Sequence, residues 1–176
     1  MTLETIAASM ERVSAALTRK PHAGLHDDTP ATVHWAGGLR TVARSEVGAE
    51  VATDMPVAIG GDDTAPTPGW LLRTALASCA VTRIAMEAAA RGIVLATLEV
   101  HATSRSDLRG MVGVAAPDGR AVPAGPLAMD LHVRIGAPGV EDDTLRELVA
   151  ATTGCSPVTC AIEQPLAVGM HIEVTG

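Results

Sequence analysis

The sequence predicts an α+β fold, in which long antiparallel strands have their helices on one side. Residues 2–19 and 141–153 repeat apolar side chains every three or four positions, as a helix with one buried face does. Residues 98–102 and 129–135 alternate apolar and polar side chains, as half-buried strands do. A length of 176 residues without an internal repeat indicates one domain spanning 1–176.

The first third of the chain predicts a helix, a hairpin and a long loop. The helix over 2–19 ends at Pro21, and a loop follows. The runs 32–35 and 39–44 flank a turn with two glycines, which is typical of a β-hairpin. Residues 48–66 are rich in Gly, Asp and Pro, so we expect a loop that leads into the next helix.

The stretch from Thr67 to Arg91 predicts the central helix. Thr67 is a good N-cap, and proline follows at the first helical position. Nearly every face is apolar or small, so we expect burial on most sides. Cys79 lies in the middle, with Arg83 one turn later, and the guanidinium can reach back over the sulfur. A nearby cation favours the reactive thiolate. The alternative is that Cys79 is a small core residue and Arg83 extends to water.

Four strands are expected after Gly92. Residues 98–102 predict the first, and we expect 108–114 to be its hairpin partner. A turn-rich excursion follows, and residues 129–135 predict the next strand. Val168, Met170, Ile172 and Val174 alternate with other side chains and predict the last strand.

Two helices and two further thiols lie between the last strands. The helix over 141–153 has acidic residues in its first turn, which complement the helix dipole. Ser156 as N-cap and Pro157 at the first position then predict a short helix. Cys155 precedes this helix and is equally consistent with a reactive and a structural role. Cys160 lies within it, and we expect it in the core.

Composition excludes several classes of partner. The net charge of −7, without a Lys/Arg cluster, argues against nucleic acid and anionic membranes. The only aromatic residues are Trp35 and Trp70. Neither a signal peptide nor a membrane span is expected, and three cysteines do not form a disulfide framework. A cytoplasmic protein is the simplest interpretation.

Metal and cofactor sites are not expected. The sequence has no Cys-x-x-Cys pair and no phosphate-binding glycine loop. Its six histidines are scattered, and those on strands lie opposite the apolar positions. A cysteine hydrolase would need a base near the thiol, and only folding could bring His34 there.

Four segments together carry a resemblance to a known family. They include His34-Trp35-Ala36-Gly37 and the run from Gly60 to Pro68. The others are Leu72-Arg73-Thr74-Ala75-Leu76-Ala77-Ser78-Cys79 and Gly154-Cys155-Ser156-Pro157-Val158. In order and spacing the chain resembles the OsmC/Ohr family of thiol-dependent peroxidases from residue 31 to the end. The helix within 1–20 lies outside this family core.

The resemblance implies a fold and a reaction. The implied fold is an intertwined homodimer, in which a curved antiparallel sheet wraps a buried central helix and two active sites lie at the interface. In the family the helix cysteine attacks the peroxide and becomes a sulfenic acid, which a second cysteine resolves as a disulfide. A dithiol reductant restores both thiols. By this resemblance Cys79 is the nucleophile, Cys155 the resolving thiol and Arg40 the hairpin arginine, with Arg44 next. Arg83 is a second candidate for the electrostatic partner.

Two departures from the family pattern keep an alternative open. The family glutamate, nine or ten residues before the helix cysteine, is replaced by Gly69 or Trp70, so Asp62 or Asp63 would have to substitute. The Cys-Pro-Val motif has an extra residue, so either Cys155 resolves from a shifted position or Ser156 occupies the resolving site. The alternative function is a member of the fold without peroxidase activity, which binds an apolar ligand near Trp70 or senses thiols.

Overall fold

The computed structural model describes residues 2–164 and 166–175 and has an α+β architecture. Its elements, in chain order, are α1 (Leu3–Arg19), β1 (Thr32–Trp35), β2 (Thr41–Arg44), β3 (Glu50–Thr53), α2 (Pro68–Ala90), β4 (Thr97–Arg105), α3 (Leu108–Val112), β5 (Ala128–Gly136), α4 (Asp142–Thr152) and α5 (Pro157–Glu163). Single 3₁₀ turns cover Pro21–Gly24, Val57–Ile59 and Thr153–Cys155. The predicted mixture of helices and antiparallel strands is confirmed.

The strands form two antiparallel sheets. One has the order β1-β2-β3, and the other pairs β4 with β5 over their full lengths. The predicted hairpin is confirmed by the pairing of Trp35 with Thr41. Gly37 and Gly38 both have positive φ in its turn, and the Trp35 indole donates to the Gly38 carbonyl at 2.9 Å. Glycine tolerates this backbone because it lacks a Cβ.

The strands predicted over 108–114 and 168–174 are absent from the described chain, and strand β3 was not predicted. Residues 108–114 do not pair with β4, because α3 occupies them and β5 is the partner of β4. Asp107 caps α3 by accepting from the Arg109 N–H, and Gly113 ends it in the left-handed region. Strand β3 lies inside the expected loop over 48–66.

The last predicted strand, over 168–174, is not formed. Residues 166–175 have no strand assignment, and their apolar side chains are exposed. Val168 and Ile172 are 89% and 79% exposed. The alternation seen in the sequence therefore finds no sheet partner within the described chain.

Helix α2 is the centre of the core. Its N-cap Thr67 accepts from the Trp70 N–H at 3.2 Å, as its sequence predicts. Ile84 and Ala88 are each 1% exposed and pack on Leu148 of α4 and on apolar side chains of β4 and β5. Only this side is buried, whereas the sequence predicted burial on most sides; Trp70 and Leu72 are exposed. In the described chain no helix combines the length and apolarity needed to cross a membrane.

Helix α1 packs along α2 at the edge of the fold. The predicted apolar stripe is present, and Leu3, Ile6 and Met10 are half-buried. Val13 and Leu17, farther along the same stripe, are exposed. Thr2 caps the helix by accepting from the Thr5 N–H.

The buried carboxylate of Asp54 holds the loop that precedes α2. Asp54 is 1% exposed, and its Oδ2 accepts from the backbone N–H of Thr64 at 3.1 Å and from its hydroxyl at 2.8 Å. Its Oδ1 accepts from the Met55 N–H at 2.7 Å. The same loop needs Gly61, because a Cβ there would lie 1.8 Å from the Met55 carbonyl oxygen. The hydrogen bonds from Thr64 and Met55 lower the pKa of Asp54.

We expect Asp54→Asn to destabilise the fold in a pH-dependent way. Because its pKa is lower in the folded chain than its ordinary value of about 3.9, the ionised carboxylate stabilises the fold above about pH 4. This contribution is lost as the pH falls through the lowered pKa. Urea unfolding should therefore show a lower midpoint for Asp54→Asn at pH 7, and the difference from wild type should shrink below pH 4. Asp62→Asn, an exposed change in the same loop, is the control. Equal midpoints for both variants at pH 7 would contradict the prediction.

Candidate functional site

Cys79 lies at a surface groove between α2 and the segment that leads into α5. The cysteine is half-buried, and the groove has a volume of about 600 Å³. Its lining consists of small, apolar and sulfur-bearing side chains with one cation: Ala75, Ser78, Cys79, Thr82, Arg83, Met86, Cys155, Pro157 and Val158. Cys79 therefore borders the groove and is not sealed in the core.

Ser156 makes the polar contact to this sulfur. Its hydroxyl donates to Cys79 Sγ at 3.3 Å, and Ser156 is 3% exposed. The sequence predicted Ser156 as the N-cap of α5, and it holds that position, but its side chain makes no capping hydrogen bond. Thr159 donates its hydroxyl to Ser156 Oγ at 2.9 Å instead. The structure thus favours the alternative in which Ser156 occupies the position beside Cys79.

Cys155 and Cys160 are both free thiols near the groove. Cys155 is exposed on the 3₁₀ turn that precedes Ser156 and lines the same groove as Cys79. Cys160 is half-buried in α5, with its sulfur 3.6 Å from the Gly154 carbonyl oxygen. Cys155 thus shares a surface with Cys79, whereas Ser156 holds the direct contact.

Arg83 brings positive charge to the groove one helical turn after Cys79. Its Nη1 lies 3.6 Å from Met86 Sδ, and its buried Nε has no hydrogen-bond partner in the described chain. Within 2–164 and 166–175, no carboxylate lies within 4.0 Å of this guanidinium. Its charge is thus not neutralised by an ion pair within the described chain, and the residue lines the groove. Met86 was not singled out from the sequence, although its position three residues after Arg83 places both on one helix face.

Arg40 lies elsewhere in the chain. It precedes β2, and its Nη1 donates to the Thr64 hydroxyl at 2.7 Å, which links it to the Asp54 network. Arg40 does not line the groove of its own chain. Asp62 and Asp63, the possible substitutes for the family glutamate, are exposed and form no ion pair with an arginine of the described chain.

The structure offers no histidine base to Cys79. His34 lies on β1, does not line the groove and makes no hydrogen bond to this cysteine in the described chain. His101 and His132 face each other across β4 and β5 on the exposed side, as expected from the sequence. Among the described residues no group of three or more metal-ligating side chains is present.

A second, larger cavity lies beside the core-facing side of α2. It has a volume of about 720 Å³. Leu76, Ala80 and Ile84 line it from α2, and Leu131 and Val133 line it from β5. Neither Cys79 nor Trp70 belongs to this cavity. It therefore does not coincide with the apolar site near Trp70 that the sequence suggested as an alternative.

The fold and the groove define an α+β protein that presents a helix-borne thiol beside a hydroxyl donor, with an arginine lining the same groove. The family model for OsmC-like protein matches residues 60–171, more than half of the chain. The chain therefore belongs to the OsmC-like protein family, as its sequence motifs indicated.

Solved structures share the fold. A protein from Psychrobacter arcticus described as an osmotic stress induced and detoxification response protein is 29% identical, with a TM-score of 0.53 over 77% of this chain and 88% of that one. An organic hydroperoxide resistance protein OsmC from Legionella pneumophila is 18% identical, with a TM-score of 0.55 over 78% and 91%. An OsmC-like protein from Mycoplasma pneumoniae is 17% identical, with a TM-score of 0.61 over 79% and 89%. No curated protein matches the sequence.

We expect Arg83→Met to slow the alkylation of Cys79. The substitution keeps a long apolar side chain but removes the charge that favours a thiolate in the groove. In a background with Cys155→Ser and Cys160→Ser, the rate with iodoacetamide at pH 7 should fall about threefold to tenfold. Arg91→Met, which removes the partner of Glu87 at the end of α2, is the control. A rate equal to that of the control would show that Arg83 does not act on the sulfur.

Proposed function

We propose that this protein is a thiol-dependent peroxidase that reduces organic hydroperoxides or hydrogen peroxide, with Cys79 as the nucleophile. The observation that carries the proposal is the half-buried Cys79, whose sulfur accepts a hydrogen bond from Ser156 in a groove that also holds Arg83. A hydrogen-bond donor and a nearby cation both favour the anionic sulfur. Membership of the OsmC-like family supports this reaction class.

The proposed first step transfers oxygen to sulfur. The Cys79 thiolate attacks the outer oxygen of the hydroperoxide, an S–O bond forms and the O–O bond breaks. The leaving alkoxide takes a proton and departs as an alcohol, or as water from hydrogen peroxide. Cys79 is left as a sulfenic acid. Arg83 lines the same groove and has no ion-pair partner in the described chain, and in this proposal it would stabilise the departing anion.

Cys155 is the proposed second thiol. It is exposed at the rim of the same groove. Its thiolate would attack the Cys79 sulfur, a disulfide would form and the sulfenic oxygen would leave as water. An external dithiol would then reduce that disulfide and be oxidised to a disulfide itself. Both thiols are free in this structure and Ser156 makes the contact to the Cys79 sulfur, so the two sulfurs would have to come into bonding contact for this step.

A homodimer is proposed as the working form. The exposed apolar side chains of residues 166–175 and the exposed Trp35 and Trp70 would be covered by a second copy. Arg40 does not line the groove of its own chain. In the proposed dimer, Arg40 of one subunit would therefore contribute its charge to the Cys79 groove of the other subunit. Three free cysteines fit a reducing compartment, and we place the protein in the cytoplasm.

The second candidate function is apolar-ligand binding without peroxidase activity. The cavity beside Leu76, Ala80 and Ile84 favours it, since aliphatic side chains of α2 and β5 line much of it and it is large enough for a small ligand. The absence of the family glutamate before Cys79 also favours it. The peroxide assay below distinguishes the two functions.

We expect cumene hydroperoxide and dihydrolipoamide to be consumed by the wild type and not by Cys79→Ser. The serine hydroxyl is a far weaker nucleophile than a thiolate, so the rate should fall at least about a hundredfold. Cys160→Ser is the matched control and should keep most of the rate. Equal rates for wild type and Cys79→Ser would exclude the peroxidase and leave the ligand-binding function.

The intact mass of the protein after oxidation tests Cys155. Oxidation of the wild type by one equivalent of peroxide should lower the intact mass by about 2 Da as the disulfide forms. Cys155→Ser should instead gain about 16 Da and react with dimedone, a reagent for sulfenic acids. A wild type that also gains about 16 Da would rule out Cys155 as the resolving thiol.

We expect sedimentation equilibrium to give twice the 18.0 kDa mass of one chain. Ile172→Asp places a charge among the alternating apolar side chains of 166–175 and should weaken association at least about tenfold. His171→Asp introduces the same charge on the alternate side and is the control. A monomeric wild type, or equal loss in both variants, would contradict this interface.

A further inference from the structure

We propose that Ser156 is a positioning residue, whose hydroxyl donates a hydrogen bond to the Cys79 sulfur and fixes its direction in the groove. This inference deepens the proposed function, since it rests on Cys79 being the nucleophile. Ser156 and Cys79 are 77 residues apart in sequence, yet the serine oxygen lies 3.3 Å from the sulfur. With 3% of its surface exposed, the serine has little contact with water, so its hydrogen bonds are made within the protein.

The direction of the hydrogen bonds favours donation to sulfur. A hydroxyl has one proton to donate and lone pairs to accept with. Thr159 donates its own hydroxyl to Ser156 Oγ at 2.9 Å. The single Ser156 proton is then directed at Cys79 Sγ. A thiolate accepts such a bond more strongly than a neutral thiol, so the contact stabilises the charged form.

The position of Ser156 in α5 supports a role outside the helix. An N-cap serine normally accepts from a backbone N–H of the first turn, and removing that bond costs helix stability. Ser156 occupies the N-cap of α5 but makes no such bond. Thr159, the third residue of the helix, supplies a hydroxyl in place of the backbone donor. The serine is thus shared between the helix start and the sulfur.

The chemistry of oxygen also limits what this position does. Ser156 has no sulfur and cannot form a disulfide with Cys79. No bond to Ser156 forms or breaks when the S–O bond is made and the O–O bond is cleaved. Ser156 therefore acts on the charge and direction of the sulfur and not as a second redox centre.

The test is the pH profile of Cys79 alkylation, which requires no peroxide. Cys155→Ser and Cys160→Ser leave Cys79 as the sole thiol, and iodoacetamide rates are measured from pH 4 to 10. Ser156→Ala should raise the pH of half-maximal rate by about one unit, the effect of losing one hydrogen bond to a charged group. Thr159→Val should produce a smaller rise, because Ser156 keeps its own hydroxyl but no longer accepts the hydrogen bond from Thr159. Ser156→Thr keeps the hydroxyl and should stay near the parent profile.

Thr74→Val is the matched control for loss of a hydroxyl on α2. Thr74 donates to the Trp70 carbonyl, away from the groove, and its variant should reproduce the parent profile. A Ser156→Ala profile that overlays the parent would overturn the proposal. If Ser156→Ala does not fold, as judged by circular dichroism, Thr159→Val decides: an unchanged midpoint overturns the proposal.

A second variant measures the contact directly. Ser156→Cys, in the Cys155→Ser and Cys160→Ser background, places a sulfur where the hydroxyl lies. Diamide should then oxidise this thiol and Cys79 to a disulfide, with a loss of about 2 Da. Failure to form this disulfide in the folded protein would overturn the geometry on which the proposal depends. Both tests are independent of peroxidase activity. The peroxide assay therefore tests the proposed peroxidase function, and the alkylation profile tests the role of Ser156.

Discussion

The packing of one ridge of α2 against α4 and the β4–β5 sheet determines where the chemical groups lie. Leu76, Ala80, Ile84 and Ala88 follow one another at intervals of four residues, and all are buried. Because a helix turns every 3.6 residues, a ridge held inward leaves the neighbouring strip, with Cys79 and Arg83, at the groove. The setting of the sulfur is therefore a consequence of core packing.

Sequence periodicity predicted the elements that have long repeats or clear caps. The helices α1, α2 and α4 and the paired strands β4 and β5 were recognised for this reason. Strand β3 was missed because four residues among Gly, Asp and Pro are too few to show alternation. Residues 108–114 fit both a strand and a helix, because their apolar positions match either period. The Asp107 cap and the left-handed Gly113 favour the helix there.

The candidate site was predictable only where its groups share one element. Arg83 follows Cys79 by one turn, and helix geometry alone placed both on one strip. The contact from Ser156 joins segments 77 residues apart, and no local pattern encodes such a distance. Its only signal was the extra residue in the Cys-Pro-Val motif, which left Ser156 and Cys155 as alternatives. Thr159 could have been noticed, since it lies three residues after Ser156 on the same face of α5.

The distribution of the two indoles gives the protein built-in optical probes. Trp35 stands beside the hairpin turn and Trp70 in the first turn of α2, and they are 76% and 46% exposed in the single chain. Because the sequence contains neither tyrosine nor phenylalanine, nearly all near-ultraviolet absorption and emission comes from these two rings. Trp70 lies nine residues before Cys79, roughly 13 Å along the helix axis. The emission wavelength therefore reports the polarity of two defined surfaces, one of them on the helix that carries the thiol, without a tyrosine background.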